Sequence, residues 1–256
     1  MLIRCENVIC GYGRTPSENP VLNGINLDIE EGKSYCILGA NGCGKTTLLR
    51  ALSGMLPYEG SISLEGKQVS KLKRKEIASK MAMLSQISQI YFSYTVEEAV
   101  MLGRYLYADN FLGIPGKRDR EIVSECIEKN GLKDLRNRQI SSLSGGQMQR
   151  MLLARTMAQM TPIIMLDEPT NHLDLKYRAE LESFLKEWKK DSGHTLIGVF
   201  HDINSAIEIG DEFIFMKDGQ IVLKGTKEIL LQFSGLQKIY GLDVKEYMKK
   251  QLSFWK

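Results

Sequence analysis

The nine residues Gly39-Ala40-Asn41-Gly42-Cys43-Gly44-Lys45-Thr46-Thr47 are of a type and spacing that can hold a polyphosphate. They fit the pattern Gly, four residues, Gly-Lys-Ser/Thr. Glycines let the backbone turn tightly with its N–H groups inward, and a following helix start adds partial positive charge. Lys45 is then placed to reach the β- and γ-phosphates, and the Thr46 hydroxyl to take a position on Mg²⁺. A second reactive pair, Asp167-Glu168, follows the apolar run Ile163 to Leu166. A carboxylate at the end of a buried strand in a phosphate-loop fold faces the nucleotide and can hold Mg²⁺, directly or through water. The adjacent Glu168 is positioned to act as general base on a water aimed at the γ-phosphate. Cys43 sits among the loop's N–H groups, an environment expected to lower a thiol pKa; alkylation there should block nucleotide binding, and nucleotide should protect it.

Such groups work only if the surrounding elements position them. Tyr35 to Leu38 reads as a buried strand ahead of the loop, and Thr47 to Leu52 as the first turns of a helix after it. Leu2 to Cys10 and Val21 to Glu30 alternate like strands, joined by turn-forming residues from Gly11 to Gly13 and Pro16 to Pro20. Tyr12 therefore lies at a strand end, where its ring either packs or stacks on a base. Ser61 to Gly66 is a further strand. The basic run Lys71 to Lys80 is an amphipathic, solvated helix, and Met81 to Gln86 a buried strand ending at a polar residue.

Thr95 and Glu98 have capping-box spacing, which predicts a helix from Val96 to about Tyr107. Arg120 to Asn130 puts Ile122, Val123, Cys126 and Ile127 on one helical face. Helices are also expected over Gln147–Gln159 and Leu175–Lys190. The all-apolar run Ile163 to Leu166 has the composition of a parallel-sheet strand covered on both faces, and Thr195 to Phe200 is the next buried strand. A hairpin about Asp218-Gly219 precedes short helices. The expected organisation is one domain, 1–256, with a nucleotide-binding core over 1–86 and 147–225 that includes a β-subdomain. A helical subdomain occupies 87–146, and a helical tail 226–256 too short for a regulatory domain.

Composition narrows the function classes. At 43% hydrophobic and 25% charged residues the chain suits a globular fold. A net charge of +3 without a basic stripe argues against nucleic acid as a partner. No stretch approaches the ~18 apolar residues of a membrane span, and the first residues lack a signal-peptide layout. Five cysteines, odd in number and without a C-x-x-C pair, fit free thiols in a cytosolic protein.

Between the two nucleotide motifs lies Leu143-Ser144-Gly145-Gly146-Gln147. By itself Ser-Gly-Gly is a turn opening a helix. In this order with the other two it resembles the signature of the ATP-binding cassette (ABC) family, and the resemblance covers nearly the whole chain. It implies an α/β fold: a P-loop NTPase (RecA-like) core with a mixed sheet, an N-terminal antiparallel β-subdomain and a helical signature subdomain. Tyr12 resembles the adenine-stacking aromatic, and Gln86 the glutamine that senses Mg²⁺ and the transport partner. Thr170-Asn171-His172-Leu173-Asp174 is similar to the D-loop, and His201, followed by Asp202 as a helix N-cap, to the switch histidine.

The resemblance assigns catalysis to Glu168, His201 and Gln86, and Mg²⁺ to Thr46, Gln86 and Asp167. Nucleotide contacts fall to Tyr12, Gly39, Asn41, Gly42, Cys43, Gly44, Lys45, Thr46, Thr47, Asp167 and Asp174. The signature residues Ser144, Gly145, Gly146 and Gln147 meet the γ-phosphate of the nucleotide held by a second copy, with the helix dipole aimed at that anion. Two chains would thus close head-to-tail around two ATP molecules. Phe92 to Tyr105 resembles importers of iron chelates (siderophores), haem and cobalamin. In those systems the surface after Gln86 receives a permease helix, near residues 87–105, with Tyr91, Phe92, Tyr94 and Met101 as contacts. An extracytoplasmic binding protein acts indirectly, and the ATPase sits at the cytoplasmic face of the membrane. Alternatives are an iron–sulfur assembly ATPase or an importer subunit for another cargo such as molybdate. The 57 residues from Gln86 to Leu143 are too few for the coiled-coil arm of a DNA-maintenance cassette protein. Ribosome-acting relatives usually hold two cassettes, and this chain has one.

Overall fold

The computed structural model describes residues 1–84, 93–107, 116–170, 173–190, 193–232 and 235–254. In chain order its elements are β1 (Ile3–Gly11), β2 (Pro20–Ile29), β3 (Ser34–Gly39), α1 (Lys45–Leu52), β4 (Tyr58–Leu64), β5 (Lys67–Gln68), α2 (Arg74–Lys80) and β6 (Met81–Leu84). There follow α3 (Val96–Met101), α4 (Lys117–Lys129), α5 (Gly145–Ala158), β7 (Ile163–Asp167), α6 (Leu175–Lys189) and β8 (Thr195–Val199). The chain continues through α7 (Ile203–Ile209), β9 (Glu212–Lys217), β10 (Gln220–Thr226), α8 (Lys227–Gln232), α9 (Leu236–Tyr240) and α10 (Val244–Ser253). They fall into two compact units, residues 1–70 with 199–256, and residues 71–198.

In the first unit β1 is the centre of an antiparallel sheet of order β2-β1-β4-β5. One face carries Ile3, Cys5 and Val8 of β1 with Leu22, Ile25 and Leu27 of β2, all buried, which is why alternation was visible in both strands. The unit's second group of strands has the opposite character. β3 is buried at all six positions, runs parallel to β9, and β9 turns back antiparallel into β10. The turn residues Asp218 and Gly219 both have positive φ, the requirement of a two-residue hairpin.

In the second unit β6 and β7 are parallel, with β8 on the other side of β7. All five residues of β7 and all five of β8 are buried, as a strand covered on both faces demands. The predicted capping box at the start of α3 forms: Thr95 Oγ1 accepts from the Glu98 N–H, and the Glu98 carboxylate accepts from the Thr95 N–H at 2.7 Å. The predicted single helix to Tyr107 ends early, however. It is α-helical only to Met101 and continues as a 3₁₀ turn over Leu102–Tyr107. Gly103 lies against α5 there, its Cβ position 2.3 Å from the Arg155 carbonyl, so this stretch follows a tight backbone contact that periodicity does not reveal.

That contact places Arg104 where sequence patterning had not. Its Nε donates to Asp119 at 2.8 Å, Nη1 donates to the Ala158 carbonyl at 2.8 Å, and the guanidinium lies 4.0 Å from the Tyr107 ring centre. With the Arg104 and Asp119 side chains 8% and 15% exposed, removing the arginine leaves the Asp119 carboxylate largely out of water without its partner. Arg104→Ala is expected to reduce the unfolding free energy by about 3–5 kcal/mol, measured by urea denaturation. Arg104 also holds the Asp119 carboxyl below the usual carboxylate range. A depressed folded pKa stabilises at pH above the unfolded value of about 3.9 and is lost as pH falls through the folded value. The Arg104→Ala penalty should therefore shrink below about pH 4.

Candidate nucleotide site and its signature helix

The phosphate loop begins where β3 ends. Gly39 has φ 150° and its Cβ position lies 2.3 Å from the Met216 carbonyl of β9, so no side chain fits there. Gly44 takes the left-handed conformation, φ 104°, as the N-cap of α1, with its Cβ position 2.9 Å from Leu22. The pattern Gly, four residues, Gly is thus demanded by backbone geometry at both ends. The β9–β10 turn braces the loop: the Gly219 N–H donates to the Cys43 carbonyl at 3.2 Å, and the Asn23 N–H donates to the Gly219 carbonyl at 2.9 Å.

Lys45 opens α1 and is only 6% exposed. Its Nζ donates to the carbonyls of Gly39 and Ala40, each at 2.9 Å, so the ammonium is curled over its own loop. Asn41 and Gly42 are exposed and Thr46 is half-buried beside them. Thr47 is buried, and its hydroxyl lies 3.2 Å from that of Tyr12. Arg50 Nη1 also donates to the Tyr12 hydroxyl at 3.4 Å. These bonds fix one end of a ring that is 57% exposed, which suits an aromatic offering its face to a flat partner more than one filling a core. Arg50 was not singled out in the sequence, because nothing in the spacing announces its contact with Tyr12.

His201 belongs to the same unit. The Phe200 N–H donates to the Ile37 carbonyl of β3 at 3.1 Å, so the histidine leaves beside the strand that feeds the phosphate loop. The predicted cap follows it: Asp202 Oδ1 accepts from the Asn204 N–H at 3.0 Å.

Cys43 corrects an expectation. The thiol is 7% exposed, and burial pushes its pKa up, outweighing the nearby Lys45 ammonium and the loop N–H groups. Desolvation of the thiolate exceeds the hydrogen-bond gain. Reaction with iodoacetamide is accordingly expected to be slower than for a free thiol and to accelerate only above about pH 9, which a labelling rate followed against pH would check.

The second unit holds the remaining groups. Asp167 is the last residue of β7 and 3% exposed. Glu168 follows with φ 54°, a left-handed conformation that costs a non-glycine residue on the order of 1 kcal/mol or more. The signature opens α5 two residues earlier than expected, at Gly145 in place of Gln147. Ser144 is the N-cap, with its Oγ accepting from the Gln147 N–H at 3.3 Å and its own N–H donating to Gln147 Oε1 at 2.9 Å. Gly145 is therefore the first helical residue and Gly146 the second. Both leave the helix N-terminus open to an anion. Asp174 caps α6 by accepting from the Tyr177 N–H at 2.9 Å. Gln86, Tyr91, Phe92, Asn171 and His172 lie outside the described residues. Sequence reading also passed over Gln149 and Arg150. Gln149 Nε2 donates to the Pro169 carbonyl at 3.2 Å, and the Arg150 guanidinium lies 3.9 Å over the Tyr177 ring.

A buried lysine on a glycine-bounded turn between a parallel strand and a helix defines a P-loop nucleotide-binding protein. The chain belongs to the ABC transporter family, whose model matches residues 22–171. It is 38% identical over 94% of its length to the ABC transporter ATP-binding protein YvrA of Bacillus subtilis, spanning 54% of that protein. It is 36% identical to the probable siderophore transport system ATP-binding protein YusV of the same organism, over 94% of this chain and 86% of that one. Against the ferric enterobactin transport ATP-binding protein FepC of Escherichia coli it is 35% identical, over 94% and 87%. Among solved structures, a dimeric ATP-binding cassette in a post-hydrolysis state with ADP and Pi superposes with a TM-score of 0.78 at 29% identity, over 88% of this chain and 98% of that one. The protein is thus an ATPase of the ABC type.

Proposed function

We propose that this chain is the ATP-hydrolysing subunit of a membrane importer for an iron chelate. ATP-driven pairing of two copies would power uptake. The reading is carried by Lys45, a buried ammonium bonded to two loop carbonyls that a β,γ-phosphate pair can replace with charge-assisted bonds. Support for the cargo class comes from the siderophore and ferric enterobactin transport proteins among the relatives.

Tyr12 stacks on adenine, with its hydroxyl held by Thr47 and Arg50. The loop from Gly39 through Asn41, Gly42, Cys43 and Gly44 to Thr47 wraps the phosphates. The hydroxyl of Thr46, the carboxylate of Asp167 and the side-chain oxygen of Gln86 are hard ligands suited to Mg²⁺, and they would hold it. Bound there, the ion would neutralise charge on the β- and γ-phosphates. Glu168 takes the proton from the attacking water, and His201 orients that water toward the γ-phosphate. In the pair, Ser144, Gly145, Gly146 and Gln147 reach the γ-phosphate held by the other copy, and Asp174 lies near the same junction. The surface at 87–105 docks on a permease at the cytoplasmic face of the membrane, and a substrate-binding protein acts from the opposite side.

The test is transport. The chain, co-expressed with a candidate siderophore permease and binding protein, is reconstituted into liposomes and supplied with MgATP and a radiolabelled ferric siderophore. ATP-dependent accumulation is the expected result. Uptake of molybdate alone would reassign the cargo, and failure of the chain to copurify with any membrane fraction would favour an assembly ATPase. Charge reversal at surface positions of the 87–105 segment, or a charge introduced at exposed Tyr105 by Tyr105→Glu, should uncouple ATPase from uptake while leaving ATP binding intact.

A further inference from the structure

Glu168 is held in an unusual way. Its φ of 54° is unfavourable for any residue that carries a Cβ, and the following Pro169 further restricts the residue before it. Such a conformation persists only where its surroundings over-determine it. Pro169 has no N–H to donate, so its carbonyl is the one backbone polar group that this residue offers. Gln149 grips it, donating from Nε2 at 3.2 Å.

Gln149 is the fifth residue of α5, the helix capped by Ser144. Its neighbour Arg150 braces the same helix elsewhere, donating to the carbonyls of Asn130 at 3.3 Å and Gly131 at 3.1 Å while stacking on Tyr177. A helix start tied on one side to the α4 end and α6 therefore holds the acidic turn through the Gln149 amide.

We propose that Gln149 is a positioning residue that holds the Glu168-Pro169 turn in its active geometry and transmits movement of the signature helix to Glu168 of the same chain. The inference rests on Glu168 being the general base. Engagement of the signature by a nucleotide on the second copy would then set the aim of this copy's own base.

The test uses the full chain with MgATP. Gln149→Glu keeps the shape of the side chain but its carboxylate cannot donate, and Gln149→Leu removes hydrogen bonding altogether. Both are expected to lower kcat roughly five- to tenfold, the scale of one lost hydrogen bond to a positioned group. Equilibrium affinity for MgATP and the thermal midpoint should stay at the parental values. Gln149→Lys restores a donor and should recover most of the rate. On a Glu168→Gln background, Gln149→Glu should lower residual single-turnover hydrolysis no further. Parental kcat in both Gln149→Glu and Gln149→Leu, or an equal loss with and without Glu168, overturns the role of Gln149. Normal turnover by Glu168→Gln alone instead overturns the assignment of the base, and the two failures are told apart by that single variant.

Discussion

Replacing Glu168 with glutamine is expected to slow ATP hydrolysis by two orders of magnitude or more while leaving MgATP binding unchanged. Glutamine matches glutamate in shape but accepts no proton at neutral pH, and general-base catalysis contributes about 10²–10⁴-fold. The following Pro169, with its carbonyl held by Gln149, is unaltered by the change. A clamp that closes on ATP and opens on hydrolysis would then stay shut. Gel filtration with MgATP should show a stable dimer for Glu168→Gln and a transient one for the parent. Phosphate release at the parental rate would show that another group activates the water.

The second large effect concerns the signature. Ser144→Arg removes the α5 cap, a loss of about 1 kcal/mol, and fills the space over the helix N-terminus. Helix formation survives on the packing of Met151, Leu152, Leu153 and Ala154, all buried. A single chain keeps its own phosphate loop, so affinity for a fluorescent ATP analogue should change less than twofold. Turnover should nevertheless fall at least a hundredfold, because in the proposed pair the blocked surface is the one that completes the other copy's site. Full-speed hydrolysis by this variant as a monomer would sink the two-copy reading. The pair of variants separates two faults, a base that cannot take a proton and a dimer that cannot close.

Legibility in the sequence differed from one part of the chain to another for physical reasons. Phosphate binding was readable because it is a local demand: φ 150° at Gly39 and φ 104° at Gly44 can be met economically only by glycine, and the lysine must follow at once. The strands β3, β7 and β8 were equally readable, since burial on both faces leaves unbroken apolar runs. Capping at Thr95 was visible as a three-residue spacing to Glu98.

The Cys43 thiol went the other way. A neighbour list of N–H groups suggested a lowered pKa, but burial decided the sign, and burial is set by the hairpin turn some 175 residues further on that closes over the loop. Likewise Arg50 beneath Tyr12, Arg104 against Asp119 and Gln149 at Pro169 involve partners 38, 15 and 20 residues apart. What the chain's order of residues determined alone was the chemistry: a phosphate loop, an acid pair, a signature and a histidine, each written in a short local pattern. What tertiary structure decided was how those groups are held, which proton affinities burial moves and which carbonyl a distant amide grips, because long-range contact leaves no trace in spacing.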